Sequence, residues 1–198
     1  MNEEKNPWKI NGEKKIYSNS WIDVTEYDVI NPSGNPGIYG VVHYKQLAIG
    51  ALPLDEEHNI YLVGQYRFPL NQYSWEIPEG GGKPDVAPVE SAKRELKEET
   101  GIEAEVWTQI LQTHTSNSVA DEFGVIFLAQ KLSFKQASPE ETEVFQIKKI
   151  HIDEACHLVN NGKITDSLSV MAILKVKLMI IEALLRRPHR GILIAACI

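Results

Sequence analysis

Cysteine is nearly absent from this 198-residue chain, which holds only Cys156 and Cys197. Two thiols outside any CxxC spacing exclude a disulfide framework and suit a reducing compartment. Positive charge is scarce too: 20 Lys+Arg against 27 Asp+Glu leave a net charge of -7. That balance argues against a protein that coats nucleic-acid phosphates, and leaves room for an acidic enzyme that gathers a metal locally. No long apolar run goes uninterrupted. Leu168 to Leu185 approaches the length of a membrane span, but Lys175, Lys177 and Glu182 would each cost about 2 to 4 kcal/mol in hydrocarbon. A long, largely buried helix is expected there, and no membrane partner. The start, MNEEKNPW, is acidic where a secretory signal would be basic and then apolar. Repeats and low-complexity linkers are also missing, and a cytoplasmic protein is expected.

With 43% hydrophobic and 24% charged residues, the composition is that of a folding globular chain. Short apolar runs rich in β-branched residues, Ser20 to Ile30, Tyr39 to Tyr44, Leu47 to Leu52 and Ile60 to Tyr66, predict an opening of antiparallel strands. Asn31 to Gly37 forms a turn, and Asp55 to Asn59 a hairpin loop. The period then changes. Between Pro88 and Thr100, Val89, Ala92 and Leu96 recur at offsets of three and four, which places them on one helical face. Pro88 suits the first turn and Gly101 the stop. Strands are expected at Ala104 to Thr113, Phe123 to Leu132 and Thr142 to Ile152. Helices follow from Asp153 to Asn160 and from Asp166 to Arg187, the second capped by Asp166 or Ser167. The expected class is α+β.

The predicted helix at Pro88 also stacks Glu95, Glu98 and Glu99 at i, i+3 and i+4, opposite its apolar face. Such carboxylates repel one another unless a cation intervenes, and oxygen-only ligands suit Mg²⁺ or Mn²⁺ with a substrate phosphate. A solvated acidic face is the plain alternative. In front of the helix lies Glu79-Gly80-Gly81-Gly82-Lys83, whose backbone groups can approach a ligand closely.

Together these segments resemble the Nudix hydrolases, whose signature is G-x5-E-x7-R-E-U-x-E-E-x-G-U with U aliphatic. Gly80, Arg94, Glu95, Leu96, Glu98, Glu99, Gly101 and Ile102 fall on it, while Val86 stands where it asks for the first glutamate. The run Gln65-Tyr66-Arg67, then Trp75-Glu76-Ile77-Pro78-Glu79-Gly80, is similar to the ADP-ribose and nucleoside-diphosphate-sugar pyrophosphatase branch, with Glu79 in place of the usual alanine. Tyr17 to Trp21 and Asn31 to Gly34 with Tyr39 are similar to that branch as well.

The resemblance implies an α/β/α sandwich of the Nudix type with a small N-terminal antiparallel sheet. It also implies Mg²⁺-dependent cleavage of a diphosphate to a nucleoside monophosphate and a sugar phosphate. Glu95 and Glu99 would be the main metal ligands, Glu98 a further ligand or a tuner of bound water, and the backbone carbonyl of Glu79 another ligand. Arg94 would pair with Glu98 and hold the cluster. Glu143 would act as base or extra ligand, with Glu141 second, or both lie in a solvated turn. Arg67 contacts the diphosphate, or pairs with Glu76. Trp21 and Tyr39 stack on a base, or make core or dimer contacts. The expected organisation is an N-terminal sheet segment over 1–45, a catalytic domain over 46–187 and a tail over 188–198, in a homodimer acting on a small nucleotide sugar. The apolar tail Gly191 to Ile198 packs on a partner or is a loose end. Alternatives are a nucleotide-sugar sensor without catalysis, and a hydrolase of dinucleoside polyphosphates.

Overall fold

Ten strands and three α-helices succeed one another in the described residues, 5–135 and 146–186, of this computed structural model. The first three strands, β1 (Lys9–Ser18), β2 (Ile22–Ile30) and β3 (Pro36–Tyr44), form an antiparallel sheet in that spatial order. Strand β1 escapes the sequence pattern because all ten of its residues are exposed, so no alternation marks it. It is held by its ladder to β2, from Lys9 opposite Ile30 to Ser18 opposite Asp23. Pro36 is tolerated because β3 starts there and lies at the sheet's edge.

There follow β4 (Leu47–Pro53), β5 (Asn59–Arg67), β6 (Gln72–Glu76), β7 (Glu79–Gly82), α1 (Pro88–Thr100), β8 (Ile102–His114), β9 (Phe123–Phe134), β10 (Gln146–His151), α2 (Ile152–Asn160) and α3 (Ser167–Arg186). A mixed sheet runs β7-β4-β9-β8, with β4 and β9 parallel and its other pairs antiparallel. A second, antiparallel sheet runs β10-β5-β6.

Alternation along β4 and β9 sends side chains to both faces of the mixed sheet. Ile49, Ala51, Val125 and Phe127 pack with Ala92, Leu96 and Ile102 beneath α1. Leu52, Ile126 and Leu128 face the other way, where Ile77, Leu168, Ala172, Ile173 and Val176 complete the larger core. Helices on both faces explain why these strands read as nearly continuous apolar runs. Helix α1 ends at Gly101, whose left-handed φ of 71° lets its N–H bond the Lys97 carbonyl. At the start of α3, Asp166 accepts a bond from the Ser169 N–H at 2.7 Å. No helix among the described residues is long and apolar enough to cross a membrane.

Candidate functional site

Strand β7, one glutamate and three glycines, is an edge strand whose backbone pairs with β4 from Leu47 opposite Gly82 to Gly50 opposite Glu79. Its alternation sets the site. Gly80 faces α1 so closely that a Cβ there would fall 2.2 to 2.6 Å from the Glu95 carboxyl atoms. Only glycine admits that carboxylate against the strand. Glu99, 3% exposed, accepts the Glu79 backbone N–H at 3.1 Å. Arg94 spans the rest: it reaches Glu98 at 2.8 Å, Glu95 at 2.5 Å and the Gly81 carbonyl at 3.0 Å. Burial would lower the Arg94 guanidinium, but Glu95 and Glu98 hold it above its ordinary value.

The signature residues therefore meet around β7, and Glu79, Gly80, Gly81, Arg94, Glu95 and Glu98 line a cavity of about 840 Å³. Lys83 and Val86 line it as well, so the residue at the departing signature position borders the site. Arg94 thus bonds Glu95 and Glu98, and the β7 backbone bonds Glu99. Among the described residues, the carboxylates whose oxygens converge within 4.8 Å are Glu76, Glu79 and Asp166.

Arg67, at the end of β5, faces that second group. Its Nε donates to both Glu76 oxygens, at 3.0 and 2.9 Å, its Nη2 bonds Glu76 as well, and it reaches Glu79 at 2.9 Å. Glu76 is 2% exposed. The pairing with Glu76, one of the two roles read for Arg67, is thus made, and the arginine still lines a second cavity. Burial alone would lower Arg67, whereas Glu76 and Glu79 raise it well above its ordinary value. Glu79 moves the other way: burial pushes its carboxyl up, and Asp166 and Glu76 add to the shift. One Glu79 oxygen is sealed from solvent without a hydrogen-bond donor among the described residues.

The second cavity, about 440 Å³, lies beside the first and shares Trp21, Gln46, Glu79, Gly80 and Gly81 with it. Trp21 is 67% exposed and is held through its backbone N–H to Asn19 at 2.8 Å. Tyr39 sits elsewhere: its hydroxyl donates to the Ser118 carbonyl at 2.5 Å and its ring meets Trp8 edge-on. It pins the N-terminal sheet to the segment 115–122. That segment also bonds β3 through Val42, through His43 to Asp121 at 2.6 Å, and through the Tyr44 N–H to Asp121 at 2.8 Å. Gln46, Asp166, Thr115 and Glu122 line the second cavity without any signature to announce them. Asp166 is legible in sequence only as a helix cap. Glu141 and Glu143 lie outside the described residues, as does the tail.

Residues 44–168 match the NUDIX domain and residues 8–42 the nucleoside diphosphate sugar hydrolase N-terminal domain. An ADP-ribose pyrophosphatase of Bacillus subtilis is 33% identical over 162 residues, 81% of this chain and 87% of its own length. A methanol dehydrogenase activator of Bacillus methanolicus is 32% identical over the same shares. In three dimensions the chain is similar to the crystal structure of an ADP compounds hydrolase, with a TM-score of 0.82 over 91% of this chain and 98% of the other, at 19% identity. The carboxylates gathered at β7 and the match over residues 44–168 lead to one assignment: the chain belongs to the Nudix family.

Proposed function

We propose that this Nudix protein hydrolyses the diphosphate of ADP-ribose or a related nucleoside diphosphate sugar, with Mg²⁺, to a nucleoside monophosphate and a sugar phosphate. The observation that carries the reading is the packing of Glu95 against Gly80 in a cavity also lined by Glu98 and Arg94. Nudix hydrolases generally act with a divalent metal, and the donor set here, all oxygen and acidic, fits a hard cation. Glu95, Glu98, Glu99 and the Glu79 carbonyl would hold it, with Mn²⁺ as a substitute. Bound there, Mg²⁺ would offset the charge of the diphosphate and polarise water. The chain's own work is to position: Arg94 ties Glu95 and Glu98 to one guanidinium, and the Glu79 N–H bonds Glu99. Glu143, with Glu141 second, remains our candidate for the base.

The same reading takes 1–45 as an N-terminal sheet segment, 46–187 as the catalytic domain and 188–198 as a tail, in a cytoplasmic homodimer. Exposed Ile10, Ile16, Tyr17 and Ile38 on the first sheet support self-association. A sensor without catalysis is the second reading, favoured by Val86 at the cavity wall.

Purified protein with Mg²⁺ should release AMP and ribose 5-phosphate from ADP-ribose, and Glu99→Gln should lose nearly all of that activity. No turnover on any of a panel of nucleotide sugars, dinucleotides and nucleoside triphosphates defeats the enzymatic reading; tight calorimetric binding without turnover selects the sensor.

A further inference from the structure

Gln46, immediately before β4, belongs to neither the signature nor its flanks, yet it lines both cavities. Its position follows from the pleat of β7. Gly80 turns its missing Cβ toward Glu95, so Gly81 turns toward the opposite face, where a Cβ would fall 1.7 Å from the Gln46 Oε1. The three heavy atoms nearest that point all belong to Gln46. The oxygen end of its side-chain amide therefore sits over Gly81, on the face of the edge strand opposite Glu95.

Whatever spans the two cavities must round the β7 edge beside this amide. The groups beyond it are poorly suited to phosphate. Glu79, Glu122 and Asp166 line the second cavity, and its one guanidinium, Arg67, is already engaged by Glu76 and Glu79. A second phosphate passing the strand would meet carboxylates unless a donor faced it, and an uncharged, hydroxyl-bearing group is what those carboxylates can accept from. The Gln46 amide is a neutral donor placed between the two environments.

We propose that Gln46 is a substrate-contacting residue whose amide donates to the diphosphate at the edge of β7, with the uncharged half of the substrate passing into the second cavity. The proposal rests on the diphosphate reading above, and its test is arranged to stand apart from turnover. In the Glu99→Gln background with Mg²⁺, calorimetric affinity for ADP-ribose should fall about tenfold on Gln46→Ala, the worth of a hydrogen bond to a charged acceptor. Gln46→Glu should weaken it further by repelling the diphosphate. Gly81→Ala, which pushes the amide off the strand, should lower affinity when Gln46 is present and add little once Gln46 is alanine. In the active protein, Gln46→Ala should raise KM much more than it lowers kcat. Unchanged ADP-ribose affinity in both Gln46 variants, or a Gly81→Ala loss that persists in full without Gln46, overturns the assignment, whether or not the wild-type protein hydrolyses anything.

Discussion

A single methyl group tests the site at the residue scale. Gly80→Ala would place a Cβ inside the Glu95 carboxylate and force that side chain off β7. Hydrolysis of ADP-ribose should fall on the order of 100-fold, the usual cost of disturbing metal-site supports, while the melting temperature moves by a few degrees. Activity near the wild-type level would mean that Glu95 does not work from this position. Away from the site, Asp55 organises the β4–β5 turn: it accepts the Asn59 N–H at 2.8 Å and pairs with Lys149 at 2.8 Å. Burial would raise its carboxyl, but Lys149 and Asn59 bring it down from 3.8 to about 2. A lowered folded-state value means that the stabilisation is complete above about pH 4 and is lost as the pH falls toward 2. Asp55→Ala should therefore cost about 1 to 2 kcal/mol at pH 7 in urea titrations. The gap to wild type should close between pH 4 and pH 2; a constant gap would remove the ion pair as its source. Glu95, Glu98, Glu99 and Arg94 were legible because one helix fixes their spacing. Gln46, Asp166 and Glu122 were not, because they meet only when separate elements converge, and nothing in the local sequence of any of them records the others.

At the scale of the element, α1 is the most legible part of the chain. Its apolar period, Pro88 and Gly101 agree, and the helix spans the predicted residues. Leu96 is fully buried in the core under α1, so Leu96→Ala should cost about 2 to 5 kcal/mol by chemical denaturation. A loss under 1 kcal/mol would show that the helix is not docked as described. Strand β7 is the instructive contrast. Three glycines have little strand propensity, and a local reading makes them a turn. The ladder to β4, with the Glu95 carboxylate close on one side and the Gln46 amide close on the other, makes them an edge strand, since only a chain without side chains can be approached so closely from both faces. Strand β1 escapes for the opposite reason: its wholly exposed residues, mostly polar with Ile10, Ile16 and Tyr17 among them, carry no alternation, and its pairing with β2 supplies the missing information.

For the whole molecule, the fold class follows from alternating apolar runs and one amphipathic helix, whereas its assembly does not. Ile10 and Ile38 are 64% and 73% exposed on the first sheet, and the dimer proposal assigns them to its contact. Light scattering on purified protein should give about twice the 22.3 kDa chain mass. Ile38→Glu should shift it toward the monomer; a monomeric wild type would set the dimer proposal aside.

The contact between β3 and the segment 115–122 has a temporal meaning as well. His43 and Asp121 stand 78 positions apart in the chain, and closing so long a loop is slow compared with forming a hairpin. The three N-terminal strands pair among neighbours and can assemble as soon as they leave the ribosome. Their grip on Ser118 and Asp121 must wait until that segment has been synthesised and set by β8 and β9. The wall that carries Thr115 and Glu122 is consequently completed only after the three N-terminal strands have been synthesised and can have paired.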